Sequence, residues 1–178
     1  HEGGKDAAGK MSAVAADACM SCHDDLQAKA GHQHARGVTC VSCHQPHSSK
    51  GEHLINDAGR LCQGCHQDVV QAGASAASVH RHPPVAQGRC LDCHQMHEPV
   101  AEKHLAKTSK QLCASCHADI AAKSTDKTQH DPFKKGNCAA CHEVHVSENA
   151  KLLKKSEGGL CKSCHGLTTP KMTAAHKV

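Results

Sequence analysis

Aromatic side chains are almost absent: the 178 residues hold no Trp, no Tyr and a single Phe, Phe133. Leu, Ile, Val and Phe together number 24, about 13% of the chain and below the roughly 20% under which a polypeptide lacks the apolar mass to fold. The hydrophobic fraction of 38% is carried by 26 Ala and 14 Cys. Side chains alone therefore cannot build a conventional core. No run of 18 or more apolar residues occurs, so no membrane span is expected, and the first residues lack the charged-then-apolar pattern of a signal peptide. A formal charge of +4 with no stacking platform argues against nucleic-acid binding. Lys151, Lys154 and Lys155 read as a solvated face. Plain disorder fails as well, because a disordered tail has no use for 14 Cys and 19 His. Something other than side chains must fill the interior.

What is abundant is strictly ordered. Every cysteine belongs to a CxxC pair followed at once by histidine. In chain order these are Cys19 and Cys22 with His23, Cys40 and Cys43 with His44, Cys62 and Cys65 with His66, and Cys90 and Cys93 with His94. Then come Cys113 and Cys116 with His117, Cys138 and Cys141 with His142, and Cys161 and Cys164 with His165. CxxC alone serves zinc or a disulfide, but neither needs a histidine directly after each pair. At the His content of this chain, seven such coincidences have a chance on the order of one in ten million. CxxCH is the attachment site of c-type haem, in which two thiols bond one porphyrin and the adjoining imidazole binds its iron. The expectation is seven covalently attached c-type haems, which replace the missing Leu and Phe as the material around which the chain wraps. Attachment of this kind takes place outside the cytoplasmic membrane, so a periplasmic or secreted location is expected.

The seven motifs alternate between two kinds. Motifs two, four and six continue to a second histidine, giving His47, His97 and His145, whereas the odd motifs do not. Each even motif is also preceded by a histidine and a glycine: His34 with Gly37, His82 with Gly88, His130 with Gly136. His176 stands in the comparable place after motif seven. The unit is thus a pair of haems, present three and a half times. These repeat positions supply seven distal ligands (His34, His47, His82, His97, His130, His145 and His176) for the seven irons, so bis-histidine coordination closes the count. His32 and His80 lie two residues from His34 and His82 and are alternatives to them; with His1, His53 and His104 they otherwise read as solvated or propionate-bonding. A histidine three residues after a proximal one lies on the same side of the attached porphyrin, so His47, His97 and His145 should each serve a neighbouring haem. His53 and His104 both precede the next motif by nine residues, where the third repeat has Leu152. Short helices suit Asp68 to Ala77 and Ala118 to Lys123, and no strand pattern is seen. Residues 1–18 read as a flexible arm, and 19–178 as a single heptahaem domain.

The alternation of CxxCH with H…CxxCHxxH, over roughly residues 19–176, resembles the periplasmic multihaem c-type cytochromes, which include the decahaem subunit of outer-membrane metal-reducing conduits and the pentahaem donor to periplasmic nitrite reductase. The resemblance implies a mostly irregular fold with short α-helices, an extended haem wire organised by its covalent haems. It also implies an electron carrier, not an enzyme, working between an upstream donor and a downstream acceptor cytochrome, reductase or outer-membrane conduit. Two other readings are a multihaem reductase with one open iron and a subunit of an extracellular filament formed by self-assembly.

Overall fold

In the computed structural model, residues 16–26, 34, 38–71, 79–125 and 129–165 are described. The α-helices are short: α1 (Ala16–Met20), α2 (Cys40–Cys43), α3 (Ala58–Cys65), α4 (Gln67–Gln71), α5 (Pro83–Ala86), α6 (Ser109–Ala114), α7 (Ala118–Ala122), α8 (Asp131–Lys134) and α9 (Glu157–Lys162). None reaches the length at which a helix is stable without tertiary support. Turns, 3₁₀ segments and extended chain make up the rest of the described residues, so the fold is mostly irregular, as the family resemblance implied. The helices expected near Asp68 and Ala118 are α4 and α7, and residues 72–77 lie outside the described set. Of the arm 1–18, residues 16–18 open α1 and 1–15 lie outside the described residues.

Sequence periodicity showed no strand, yet one small ladder forms: β1 (His80–Arg81) pairs antiparallel with β2 (Val146–Ser147), His80 opposite Ser147 and Arg81 opposite Val146. Two residues per strand are too few to show a period of two. The Arg81 guanidinium pins α4 to this ladder by donating to the Val70 carbonyl at 3.0 and 3.2 Å.

The chain divides into two compact units, one of residues 1–62 with 89–108 and the other of residues 63–88 with 109–178. Neither shows an apolar core among its described residues. Among the described residues no hydrophobic side chain is buried, and Ser147 alone is, at 7% exposure. Val100, Ile120 and Val144 stand 64%, 48% and 47% exposed. A fully buried residue of this kind contributes about 1.5–3 kcal/mol. That contribution is missing from the polypeptide itself.

The segment before each later even motif is built the same way twice. His82 and His130 are the N-caps of α5 and α8, with φ/ψ of −61°/132° and −59°/132°. Proline in the first turn of each helix has its φ preset and gives up only an N–H that would be orphaned there. Each helix then closes on a glycine in the left-handed region, Gly88 at φ 69° and Gly136 at φ 73°, and the chain returns into the next CxxCH. At Gly136 a Cβ would lie 2.6 Å from the Lys110 side chain. Gly136→Ala should therefore cost about 1–2 kcal/mol, a fall of about 2–8 °C in the thermal midpoint. Gly158→Ala, in α9 with nothing within 4 Å of the new methyl, should not lower it. Calorimetry of the two variants checks the contrast.

Candidate haem-iron sites

Each CxxCH segment is a single helical turn. The backbone N–H of the closing histidine donates to the carbonyl of the first cysteine four residues back, for example His23 to Cys19 at 3.0 Å, His44 to Cys40 at 2.9 Å and His165 to Cys161 at 2.9 Å. The second cysteine tightens the same turn with a bond to the first, three residues back. The N–H of Cys22 donates to Cys19 at 3.2 Å, that of Cys93 to Cys90 at 3.2 Å, that of Cys116 to Cys113 at 3.3 Å, that of Cys141 to Cys138 at 3.2 Å and that of Cys164 to Cys161 at 3.3 Å. Thiols three residues apart on such a turn share a face, as two bonds to one porphyrin edge require.

Burial of these thiols differs from that of a structural cysteine. Cys22, Cys65, Cys116, Cys161 and Cys164 are exposed, and the other nine, Cys93 and Cys141 among them, are half-buried. Cysteine is ordinarily among the most buried residue types, so thiols left outside by the polypeptide need a cover that the side chains do not provide. No disulfide forms among the fourteen cysteines, and no three His, Cys, Asp or Glu among the described residues converge as a metal-ion site. The donor set suits neither of the other uses of CxxC, whereas a macrocycle bonded at each pair would cover both thiols.

Successive motifs bring their thiols together. Cys19 hydrogen-bonds Cys40, and burial followed by that neighbour raises the Cys19 thiol above its ordinary value. Cys62 hydrogen-bonds Cys90, and burial, then the Cys90 thiol, push it up to about 11.

The imidazoles decide whether iron fits. A metal–imidazole bond is about 2 Å long and the ring centroid lies about 1 Å beyond the nitrogen, so two imidazoles on opposite faces of one iron stand about 6 Å apart. His44 and His97 are 5.9 Å apart with planes inclined by 23°, His82 and His117 are 6.1 Å apart at 24°, and His130 and His165 are 6.0 Å apart at 47°. Each pair joins a CxxCH histidine to a histidine from outside that motif. The spacing fits a bis-histidine haem iron three times over. Burial and the facing His117 hold His82 below its ordinary pKa, which favours the neutral form that binds metal. His97 stands against the histidine of motif two and not against that of its own motif, motif four.

A repeated second contact fixes the even imidazoles. The Nδ1–H of His44 donates to the His53 carbonyl at 2.7 Å, that of His94 to Lys103 at 3.0 Å and that of His142 to Lys151 at 2.9 Å, nine residues on in every case. The accepting carbonyl opens a turn of two left-handed residues: His53 and Leu54 (φ 54° and 62°), Lys103 and His104 (60° and 55°), Lys151 and Leu152 (57° and 56°). These are the only non-glycine residues with positive φ among those described. The second carbonyl of each turn accepts the N–H that follows the proximal histidine: Gln45 to Leu54 at 2.8 Å, Gln95 to His104 and Glu143 to Leu152 at 2.7 Å. With Nδ1 donating, Nε2 is the nitrogen left for iron. Sequence reading missed this turn, whose one signal is the constant interval from the proximal histidine. It also corrects the alignment of His53 with His104: His53 matches Lys103 and Lys151, whereas His104 matches Leu54 and Leu152.

The other candidate ligands are placed as follows. His34 faces His104 across 5.8 Å, both half-buried, so His104 is not a solvated side chain. His47 is exposed, and His145 is half-buried with its carbonyl accepting the His82 N–H at 3.0 Å. His1, His32 and His176 lie outside the described residues. His80 sits in β1, exposed.

Residues 32–71, 82–122 and 130–169, more than half of the chain, match the family of the doubled CXXCH motif. The chain belongs to that family of multihaem c-type cytochromes. It is also 35% identical over 121 residues to the multihaem cytochrome MtrA of Shewanella baltica (strain OS185), an alignment covering 62% of this chain and 35% of that relative. The chain thus matches about a third of the relative's length. The three family segments open on His32, His82 and His130, each eight residues ahead of an even motif. No helix among the described residues is long and apolar enough to cross a membrane. By its motifs and its family the chain is a multihaem c-type cytochrome, and three of its imidazole pairs have the spacing that a haem iron needs.

Proposed function

We propose that the chain is a heptahaem electron carrier of the periplasm or cell exterior, passing electrons between protein redox partners through closely spaced bis-histidine haems. The observation that carries this is the set of three imidazole pairs about 6 Å apart, each drawing its two rings from different parts of the chain. His97 caps the haem of motif two, His82 that of motif five and His130 that of motif seven. Filling both axial positions favours electron transfer over substrate binding at iron, hence a carrier rather than an enzyme. Motif one, ahead of the first family segment, carries a haem like the rest. Residues 19–178 act as one heptahaem assembly of three and a half repeats, with His47, His145 and His176 as further distal ligands. For the first repeat, the eight-residue register favours His32 over His34. The location follows from the chemistry of CxxCH attachment, which is completed outside the cytoplasmic membrane.

Intact-mass measurement of the secreted holoprotein tests the count. An increment of seven haems is expected, and six would remove motif one from the proposal. Carbon monoxide tests the absence of catalysis: no iron should bind it at neutral pH, and one carbonmonoxy haem per chain would favour a reductase with an open site.

Charge supplies an independent prediction. Each oxidised bis-histidine haem adds about −1 once its two propionates are counted, which turns the formal +4 of the polypeptide into about −3, and full reduction takes it to about −10. Electrons added to so anionic a body favour proton uptake. Midpoint potentials should fall as pH rises through the propionate and free-histidine range. Potentials that stay flat from acid to alkaline pH would contradict this coupling.

A further inference from the structure

We propose that His34 and His104 form a binding site for a divalent transition-metal ion of the zinc and copper class, separate from the haem irons. Their rings stand 5.8 Å apart with planes inclined by 32°, close to the spacing of the three pairs that fit iron. Each of those three includes a CxxCH histidine. This fourth pair includes none, so no covalently attached haem has its proximal ligand here. The site rests on the reading that gives the distal place of the first repeat to His32, eight residues ahead of motif two, and so leaves His34 to another use.

The repeat itself marks both residues as departures. Six residues ahead of the even motifs stand His34, Pro84 and Pro132, and at the second position of the left-handed turn stand Leu54, His104 and Leu152. An iron ligand that the two-haem unit requires recurs in every copy, whereas these two histidines occur in one copy each, and in different copies. Yet they meet within one compact unit, both half-buried. The backbone fixes His104: its carbonyl accepts the Gln95 N–H at 2.7 Å, and two residues on the Ala106 N–H donates to the Cys93 carbonyl at 2.9 Å. The spacing suits a single ion. With a bond of about 2.0–2.1 Å and a ring centre about 1 Å beyond the nitrogen, two imidazoles on one ion stand about 6 Å apart when opposite and about 5 Å apart at the tetrahedral angle. The observed 5.8 Å lies between these limits. Imidazole nitrogens suit zinc, copper and nickel, whereas calcium and magnesium take oxygen. Among the described residues no three His, Cys, Asp or Glu converge, so two imidazoles are the share of the protein and the remaining positions fall to water.

Zn²⁺ is the probe, being redox-inert beside the haems. After equilibrium dialysis against a zinc salt, the oxidised holoprotein should retain one ion per chain more than His104→Leu or His34→Ala, while His53→Ala should retain as much as the unsubstituted protein. His104→Leu installs the residue that Leu54 and Leu152 already hold at φ 62° and 56°, so the turn survives it. Equal zinc in all four proteins, with every iron low-spin, overturns the metal site and leaves the haem ligation as proposed. A high-spin iron in His34→Ala overturns both the metal site and the choice of His32, because His34 is then an iron ligand. Zinc-edge X-ray absorption of the unsubstituted protein, loaded with one equivalent, needs no variant: two imidazole nitrogens at about 2.0–2.1 Å are expected. One imidazole or none overturns the proposal.

Discussion

Expressed where haem attachment is blocked, the chain will show no cooperative thermal transition and no dispersed amide spectrum. Ordering a residue costs about 1–2 kcal/mol of backbone entropy, and the usual offset is buried apolar area. Here that offset is missing: no described hydrophobic side chain is buried, and the helices are too short to stand alone. The contacts of Cys19 with Cys40 and of Cys62 with Cys90 add only weak thiol hydrogen bonds. With haems in place, exposed residues such as Val100 and Ile120 can cover porphyrin faces, and two thioether bonds per haem tie the chain to its own interior. A sharp calorimetric transition in haem-free protein would show that the polypeptide holds a core of its own.

Replacing His97 by Ala will open one iron and leave the others closed. The 5.9 Å pairing with His44 places the lost ligand on the motif-two haem, so about one seventh of the haem should become high-spin and bind carbon monoxide at one site per chain. The motif-four haem, whose own segment carries the substitution, should stay low-spin. His53→Ala is the control, because His53 contributes its carbonyl and not its ring to the site. If His97→Ala leaves every iron low-spin, or if the open haem is that of motif four, the exchange of ligands between repeats is wrong.

Much of this was legible in residue types and intervals. CxxCH is a local constellation, and a deficit of Leu, Ile, Val and Phe is visible by counting. His82, His97 and His130 could be chosen because each recurs at a fixed distance from an even motif. Which iron each serves was not legible, since His97 and His44 are far apart in sequence and meet only through the fold. The choice between His32 and His34 was not legible either: His34 sits six residues ahead of its motif, whereas His82 and His130 sit eight ahead, and its ring lies against His104. The left-handed turns escaped notice for a different reason. Positive φ is normally announced by Gly or Asn, and these turns use His, Leu and Lys, so only the backbone reveals them. The β1–β2 ladder was too short to leave a pattern in the sequence.

Near-infrared magnetic circular dichroism of the oxidised holoprotein, scaled to the covalent haem in the same sample, tests the central claim most directly, because it counts bis-histidine low-spin iron. Seven such haems per chain, with none left over, is the expected result. A spectrum in which one or more covalent haems per chain is high-spin, or carries a ligand other than a second histidine, would contradict the account of the protein as a fully capped electron carrier.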